Sequence, residues 1–226
     1  MTQKKFRQYR LFGRRLGSSL SPRQQRLIDE LLPQVQVDNS AVYKDTGQLT
    51  KLFGGTFTRF HLEIGFGGAE HLIWQAQQAP DVGFIGCEPF INGVVKLLTA
   101  IEEAKLDNIR ICDDDARDLL DRLPESCLEK VYVLFPDPWP KKRHHKRRFI
   151  NQQTLNQLAR TMKPCAHLYF ASDIADYITW TQGHIADNRY FELTETQAME
   201  RPQTRYEQKA ARAGRTSTYL TFACIK

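Results

Sequence analysis

The chain has 226 residues, 41% of them hydrophobic and 26% charged, the make-up of a soluble globular protein with one sizeable core. No apolar run reaches the roughly 18 residues of a membrane span, and the opening MTQKKFRQYRLFGRR lacks the apolar stretch and small-residue cleavage site of a secretory signal. The net charge of +6 is gathered into three places: +6 over residues 1–37, +5 over 201–226 and +6 over 141–148, which leaves −11 on the rest, an electrostatic footprint for a polyanion.

Residues 1–50 read as a basic extension with one short helix. In SPRQQRLIDELLPQV, Ser21 is the N-cap candidate and Pro22 the first helical residue, with Leu27, Ile28, Leu31 and Leu32 at helical spacing. From residue 59 strands and helices alternate. RFHLEIGF is a strand and GAEHLIWQAQQA a helix; VGFIGCEP is the second strand, followed by the helix INGVVKLLTAIEEAKL. NIRICDDD is a third strand and ARDLLDRL a short helix, before the strand EKVYVLFPD and the basic loop KKRHHKRR. RFINQQTLNQLARTMKP reads as a helix ended by Pro164. AHLYFASD is a fifth strand and IADYITWTQGHIADN a helix; FELTETQA and TSTYLTFACIK are two last strands across a polar, Arg-rich loop. Apolar strands alternating with amphipathic helices predict an α/β fold, a mostly parallel sheet covered on both faces, with 51–226 as a single domain.

Ligands of open α/β sheets sit beyond the carboxyl ends of the strands. Those ends are acidic here: Glu63, Glu88, Asp113 to Asp115, Asp137 and Asp173. The first turn, EIGFGGAE, supplies Gly65, Gly67 and Gly68 for a sharp bend and close backbone approach. A dinucleotide fingerprint wants a third glycine where Glu70 stands, and a carboxylate there repels a pyrophosphate. S-adenosylmethionine suits acids better, being phosphate-free and carrying a sulfonium, an ammonium and ribose hydroxyls. Glu63 is then expected at the methionine end, Glu88 on the ribose and Asp115 on the adenine amino group.

LEIGFGGAEHL, GCEP, DDDARDLL, LFPDPWPKKRHHKRR and TRYEQKA together resemble the bacterial tRNA (guanine-N7)-methyltransferase family, from about Arg59 to the C-terminus. One departure is Ala69, where many relatives carry a third glycine. The resemblance implies a class I methyltransferase (Rossmann-like) domain, a seven-stranded sheet with an antiparallel last hairpin. It implies cofactor contacts from Glu63, Glu88 and Asp115, a catalytic or substrate-binding Asp137, and substrate contacts from Lys141, Asp173, Thr204, Arg205, Tyr206 and Glu207. The implied reaction methylates a guanine of the tRNA variable loop, at position 46 of tRNA.

The chemistry fits that assignment. Guanine N7 already bears a lone pair, so no general base is required, and positioning supplies the catalysis. Asp137 suits the N1–H and 2-amino donors of guanine, stiffened by flanking prolines, with Trp139 as a stacking platform. Lys141, Arg143, Lys146, Arg147 and Arg148 are expected to grip tRNA phosphates. The five scattered cysteines form no C-x-x-C pair, and His144 and His145 lack a third ligand, so no metal site is expected and the thiols read as reduced and cytoplasmic. No obligatory protein partner is expected, and monomer and homodimer are both compatible with the sequence.

Two other readings stay open. An adenine amino-methyltransferase would place [DNS]-P-P-[FYW] after the fourth strand, a pattern that Asp137-Pro138-Trp139-Pro140 breaks. A binding module that keeps the fold without catalysis would let the strand-end acids decay, and here they are intact.

Overall fold

In the computed structural model, residues 9–13, 15–38, 40–194, 202 and 204–226 are described, except for the Tyr206 side chain. A capped helical stretch opens the fold: α1 (Pro22–Arg26), a π-helical turn (Leu27–Leu31) and α2 (Leu32–Val35). Ser21 makes a capping box with Gln24, as its position before Pro22 predicts. The π turn carries Leu27, Leu32 and Val35 onto one buried face, against helix α5 and strand β3 described below.

The extension therefore holds more than one helix. A further helix, α3 (Thr46–Leu52), starts at Asp45, whose side chain accepts from Gln48 N at 3.0 Å. The Asp-x-x-Gln spacing was the available signal. Leu49 of α3 is fully buried in the main core.

The alternating body follows as β1 (Phe60–Ile64), α4 (Glu70–Gln78), β2 (Gly83–Cys87), α5 (Ile91–Ala104), β3 (Ile109–Cys112), α6 (Ala116–Arg122) and β4 (Leu128–Leu134). A 3-10 helix (Lys142–Arg147) leads to α7 (Gln152–Thr161), β5 (Met162–Ser172), α8 (Ala175–Ala186), β6 (Phe191–Thr194), α9 (Arg205–Arg212) and β7 (Thr218–Cys224). The sheet order is β3-β2-β1-β4-β5-β7-β6. The first five strands are parallel, and β7 runs antiparallel to both neighbours.

β1 and β2 are buried along their whole length, the signature of strands covered on both faces. One apolar layer joins Leu62, Ile85 and Val133 to Leu119, Leu158 and Tyr177. The other joins Phe84 and Ile109 to Leu72, Val94 and Leu27.

Three local expectations are corrected. Helix α7 ends at Thr161, before Pro164, because residues 163–166 bulge out between the pairings Leu128↔Met162 and Lys130↔His167. That bulge gives Pro164 a place without a ladder donor. The basic run is a 3-10 turn, and the last polar loop contains α9, started by a Thr204–Glu207 capping box.

Candidate active site

The carboxyl ends of β1, β2, β3 and β4 converge on one cleft beside the β1/β4 switch point, where strand order reverses. The turn after β1 needs left-handed backbone at Gly65 (φ 73°), Gly67 (φ 54°) and Ala69 (φ 66°). Ala69 thus adopts a left-handed conformation that favours glycine, at a cost of about 1–2 kcal/mol. Helix α5 presses against this turn through Gly93. A Cβ there would stand 2.5 Å from the Gly67 carbonyl oxygen and 3.1 Å from Glu88 Cγ.

Each acid has its own setting. Glu88 is buried, and its two oxygens accept from Gly67 N at 2.8 Å and Phe90 N at 3.0 Å. Burial raises its pKa; the two backbone bonds oppose the rise, and the charge on Asp137 adds to it. Asp115 caps α6 and is held by the Arg117 fork, with Nε at 2.9 Å from Oδ1 and Nη2 at 2.5 Å from Oδ2. A carboxylate oxygen has two lone pairs, so Glu88 and Asp115 keep acceptor capacity for a ligand.

Asp137 follows the left-handed Phe135 (φ 52°) and precedes the left-handed Trp139 (φ 44°). Its side chain is reachable by solvent yet walled by protein, and this desolvation raises its pKa. Among the described residues its carboxylate accepts no hydrogen bond.

Glu63 is buried at the end of β1. It lies beneath the turn, with its carboxylate 2.7 Å from His71 Nδ1 in a pair from which solvent is excluded. The His71 ring sits 4.8 Å from that of Tyr132. Ile64 and Gly65, which follow Glu63, line the cleft.

The cleft has a volume of about 150 Å³ and a wall that sequence reasoning missed: Leu11 and Phe12. The segment carrying them crosses the strand ends as a strap. Tyr9 donates to Asp121 at 3.0 Å, and Arg117 Nη2 donates to the Arg10 carbonyl at 3.2 Å. Further along, Ile91 N donates to Arg15 O at 2.9 Å and Gly17 N to Asn92 Oδ1 at 2.8 Å. The Phe12 ring meets Trp139 edge-on at 6.1 Å. Arg117 and Phe149 also line the cleft. No motif announced Leu11 and Phe12, which come from far along the chain, whereas Arg117 and Phe149 stand in or next to the DDDARDLL and KKRHHKRR stretches.

The basic run divides. Lys141, Arg143 and Lys146 are exposed at the cleft rim, and Arg147 is half-buried over Phe12 and Trp139. Arg148 corrects the expectation of a phosphate contact, for its side chain is fully buried. The guanidinium donates to Pro138 O at 2.8 Å and to the Asp176 carboxylate, and lies over Tyr177 and Trp180. It fastens the 136–140 loop to α8.

Of the C-terminal candidates, Thr204 and Glu207 make the cap of α9, and Tyr219 donates to the Glu207 carboxylate. Arg205 reaches Glu70 at the start of α4, 2.7 Å away, and Asp173 accepts from Arg215 Nε at 2.6 Å. Tyr206 contributes backbone to α9, and its side chain lies outside the described residues.

Solved structures share this architecture. The 16S rRNA methyltransferase KamB superposes with a TM-score of 0.60 at 16% identity, over 84% of this chain and 99% of the other. The aminoglycoside resistance methyltransferase NpmB1 gives 0.59 at 18%, over 84% and 98%. A family described as "Putative methyltransferase" matches residues 58–220. Strand order, reversed last strand and the acid-and-glycine cleft define a class I methyltransferase fold.

Sequence relatives narrow the class. The chain is 46% identical over 218 residues to the tRNA (guanine-N(7)-)-methyltransferase of Agrobacterium fabrum, covering 93% of both chains. It is 42% identical over 218 residues to that of Brucella melitensis, again 93% of both. This chain belongs to the tRNA (guanine-N7-)-methyltransferase family.

Proposed function

We propose that this protein uses S-adenosylmethionine to methylate N7 of a guanine in the tRNA variable loop, at position 46. The observation that carries the reading is that Asp115 and Asp137 line one cleft with Gly65, next to the glycine turn that Glu88 holds through Gly67 N. The cleft fits that cofactor. The turn leaves backbone open at Gly65, where an added Cβ would meet nothing within 4 Å. Glu70 at the start of α4 disfavours a pyrophosphate. When bound, S-adenosylmethionine supplies an electrophilic methyl group on sulfur.

This chain's residues do the rest. Glu88 takes the ribose hydroxyls, and Asp115, fixed by Arg117, takes the adenine amino group. Asp137 accepts from the N1–H and 2-amino groups of guanine and leaves N7 on the opposite edge free to attack. Its negative charge also offsets the positive charge that grows on the purine. Lys141, Arg143 and Lys146 contact tRNA phosphates at the rim. Asp173 and the Thr204–Glu207 segment complete the substrate side, with α9 holding Arg205 against the start of α4.

The test is methyl transfer from labelled S-adenosylmethionine to unmodified tRNA, with the nucleoside product identified by mass. N7-methylguanosine at position 46 supports the reading. N6-methyladenosine would keep the fold and discard the guanine assignment, and bound tRNA without transfer would point to a binding module.

A further inference from the structure

Asp137 and Arg147 line the same small cleft with opposite charges, and among the described residues no ion pair joins them. The Nε of Arg147 is buried and has no hydrogen-bond partner among the described residues. Opposite charges in so small a space ordinarily close into a direct, bidentate pair. Here the guanidinium is held against two rings, with Cζ 4.4 Å from the Phe12 centroid and 4.9 Å from that of Trp139. That stacking holds the cation on the rings, while the Asp137 carboxylate lines the same cleft without pairing with it.

A cleft lined by an unpaired donor and an unpaired acceptor suits a group that presents an acceptor next to donors. Guanine has this order along one edge: O6 accepts, then N1–H and the 2-amino group donate. We propose that Arg147 is a specificity-determining residue which donates to O6 of the target guanine while Asp137 accepts from its other two positions. The assignment rests on the guanine reading above and moves Arg147 from the phosphates to the base edge. Adenine inverts the first two positions, setting an amino group against the guanidinium and a ring lone pair against the carboxylate. Each mismatch leaves a partly desolvated group unpaired, the arrangement that gives strong discrimination.

The experiment replaces the target guanine by 6-thioguanine, which keeps both donors and weakens the acceptor. Native protein is expected to lose about tenfold in kcat/KM on the thio substrate, the scale of one charge-assisted hydrogen bond. Arg147→Ala is expected to lose a similar factor on guanine and to bring the guanine-to-thioguanine ratio near one. Arg147→Lys should not restore the ratio, because an ammonium lacks the planar fork that stacks on Phe12 and Trp139. Arg147→Gln, which keeps most of the stem, gives the same reading if the alanine variant melts below the assay temperature.

A ratio unchanged in the alanine and glutamine variants would overturn the assignment. So would full rescue by lysine together with a salt slope of tRNA binding reduced by about one in the alanine variant, the mark of a phosphate contact. No N7-methylguanosine from native protein on ordinary tRNA would overturn the enzyme reading itself, and this inference with it. The two failures are thereby told apart.

Discussion

Asp137 is set where its charge is costly. A carboxyl whose pKa is higher folded than unfolded binds more protons in the native state between the two values, so stability falls as pH rises through that window. Desolvation raises the pKa of Asp137, which puts the window above the ordinary carboxylate range. Asp137→Asn is therefore expected to melt higher than native protein at neutral pH, with the difference fading near about pH 3. The same variant should lose roughly 100-fold or more in methyl transfer, the scale of one misplaced electrostatic group in an active site. Equal melting at neutral pH would count against the desolvated setting. The acid limb of native kcat/KM should likewise lie above the pKa of a free aspartate.

Arg148, ten residues from Pro138 whose carbonyl it binds, behaves as a structural rivet. Arg148→Ala removes a buried guanidinium from between Tyr177 and Trp180. A loss of about 2–3 kcal/mol is expected in urea denaturation, with the salt slope of tRNA binding unchanged. A slope reduced by one at unaltered stability would restore the phosphate role.

At the scale of elements, the junction of the glycine turn with α5 decides how tightly the site closes. Gly93→Ala gains helix propensity of about 1 kcal/mol but drives a Cβ to 2.5 Å from a backbone oxygen, and overpacking of about 1–3 kcal/mol wins. The variant should bind S-adenosylmethionine more weakly in calorimetry, because the turn moves. Ala69→Gly should leave affinity unchanged and raise stability by up to about 1 kcal/mol, by relieving left-handed strain. A destabilised Ala69→Gly would mean that the Ala69 methyl packs better than its backbone strains.

The strands and helices of the body were legible from their apolar runs because β1 and β2 are buried throughout and β3 and β4 over most of their length. The position of Asp115 and Asp137 at the cleft was legible because strand ends fix where their side chains emerge. The pairing of Glu63 with His71 was not, since nothing local marks two residues eight apart as partners across a turn. Arg148 was not, since a charge run carries no sign of which member packs between Tyr177 and Trp180. Helix α9 was hidden by its polarity: its capping box stands in TRYE, but few apolar residues follow to mark a face.

Taken as a whole, the molecule places its positive charge where its chain is least regular: the N-terminal segment, the 3-10 turn and α9. Of these, the N-terminal strap leaves the plainest mark. Tyr9 bonds Asp121 and Gln157, Arg10 meets Arg117, and Phe12 meets Trp139, all partners more than 100 residues away in sequence. Closing such long loops is entropically costly, and the sheet and its helices have complete cores without these contacts. Removing residues 1–13 should accordingly leave a cooperative melt within a few degrees of native, while S-adenosylmethionine affinity falls at least about tenfold. A collapse of the fold in that variant would refute the separation. By the same reasoning, the amides of Ile91 and Gly17 should exchange hydrogen far faster than those of β1. In the order of assembly, then, the strap is among the last parts to settle, and the cleft is finished only when residues 9–17 fold back onto the strand ends.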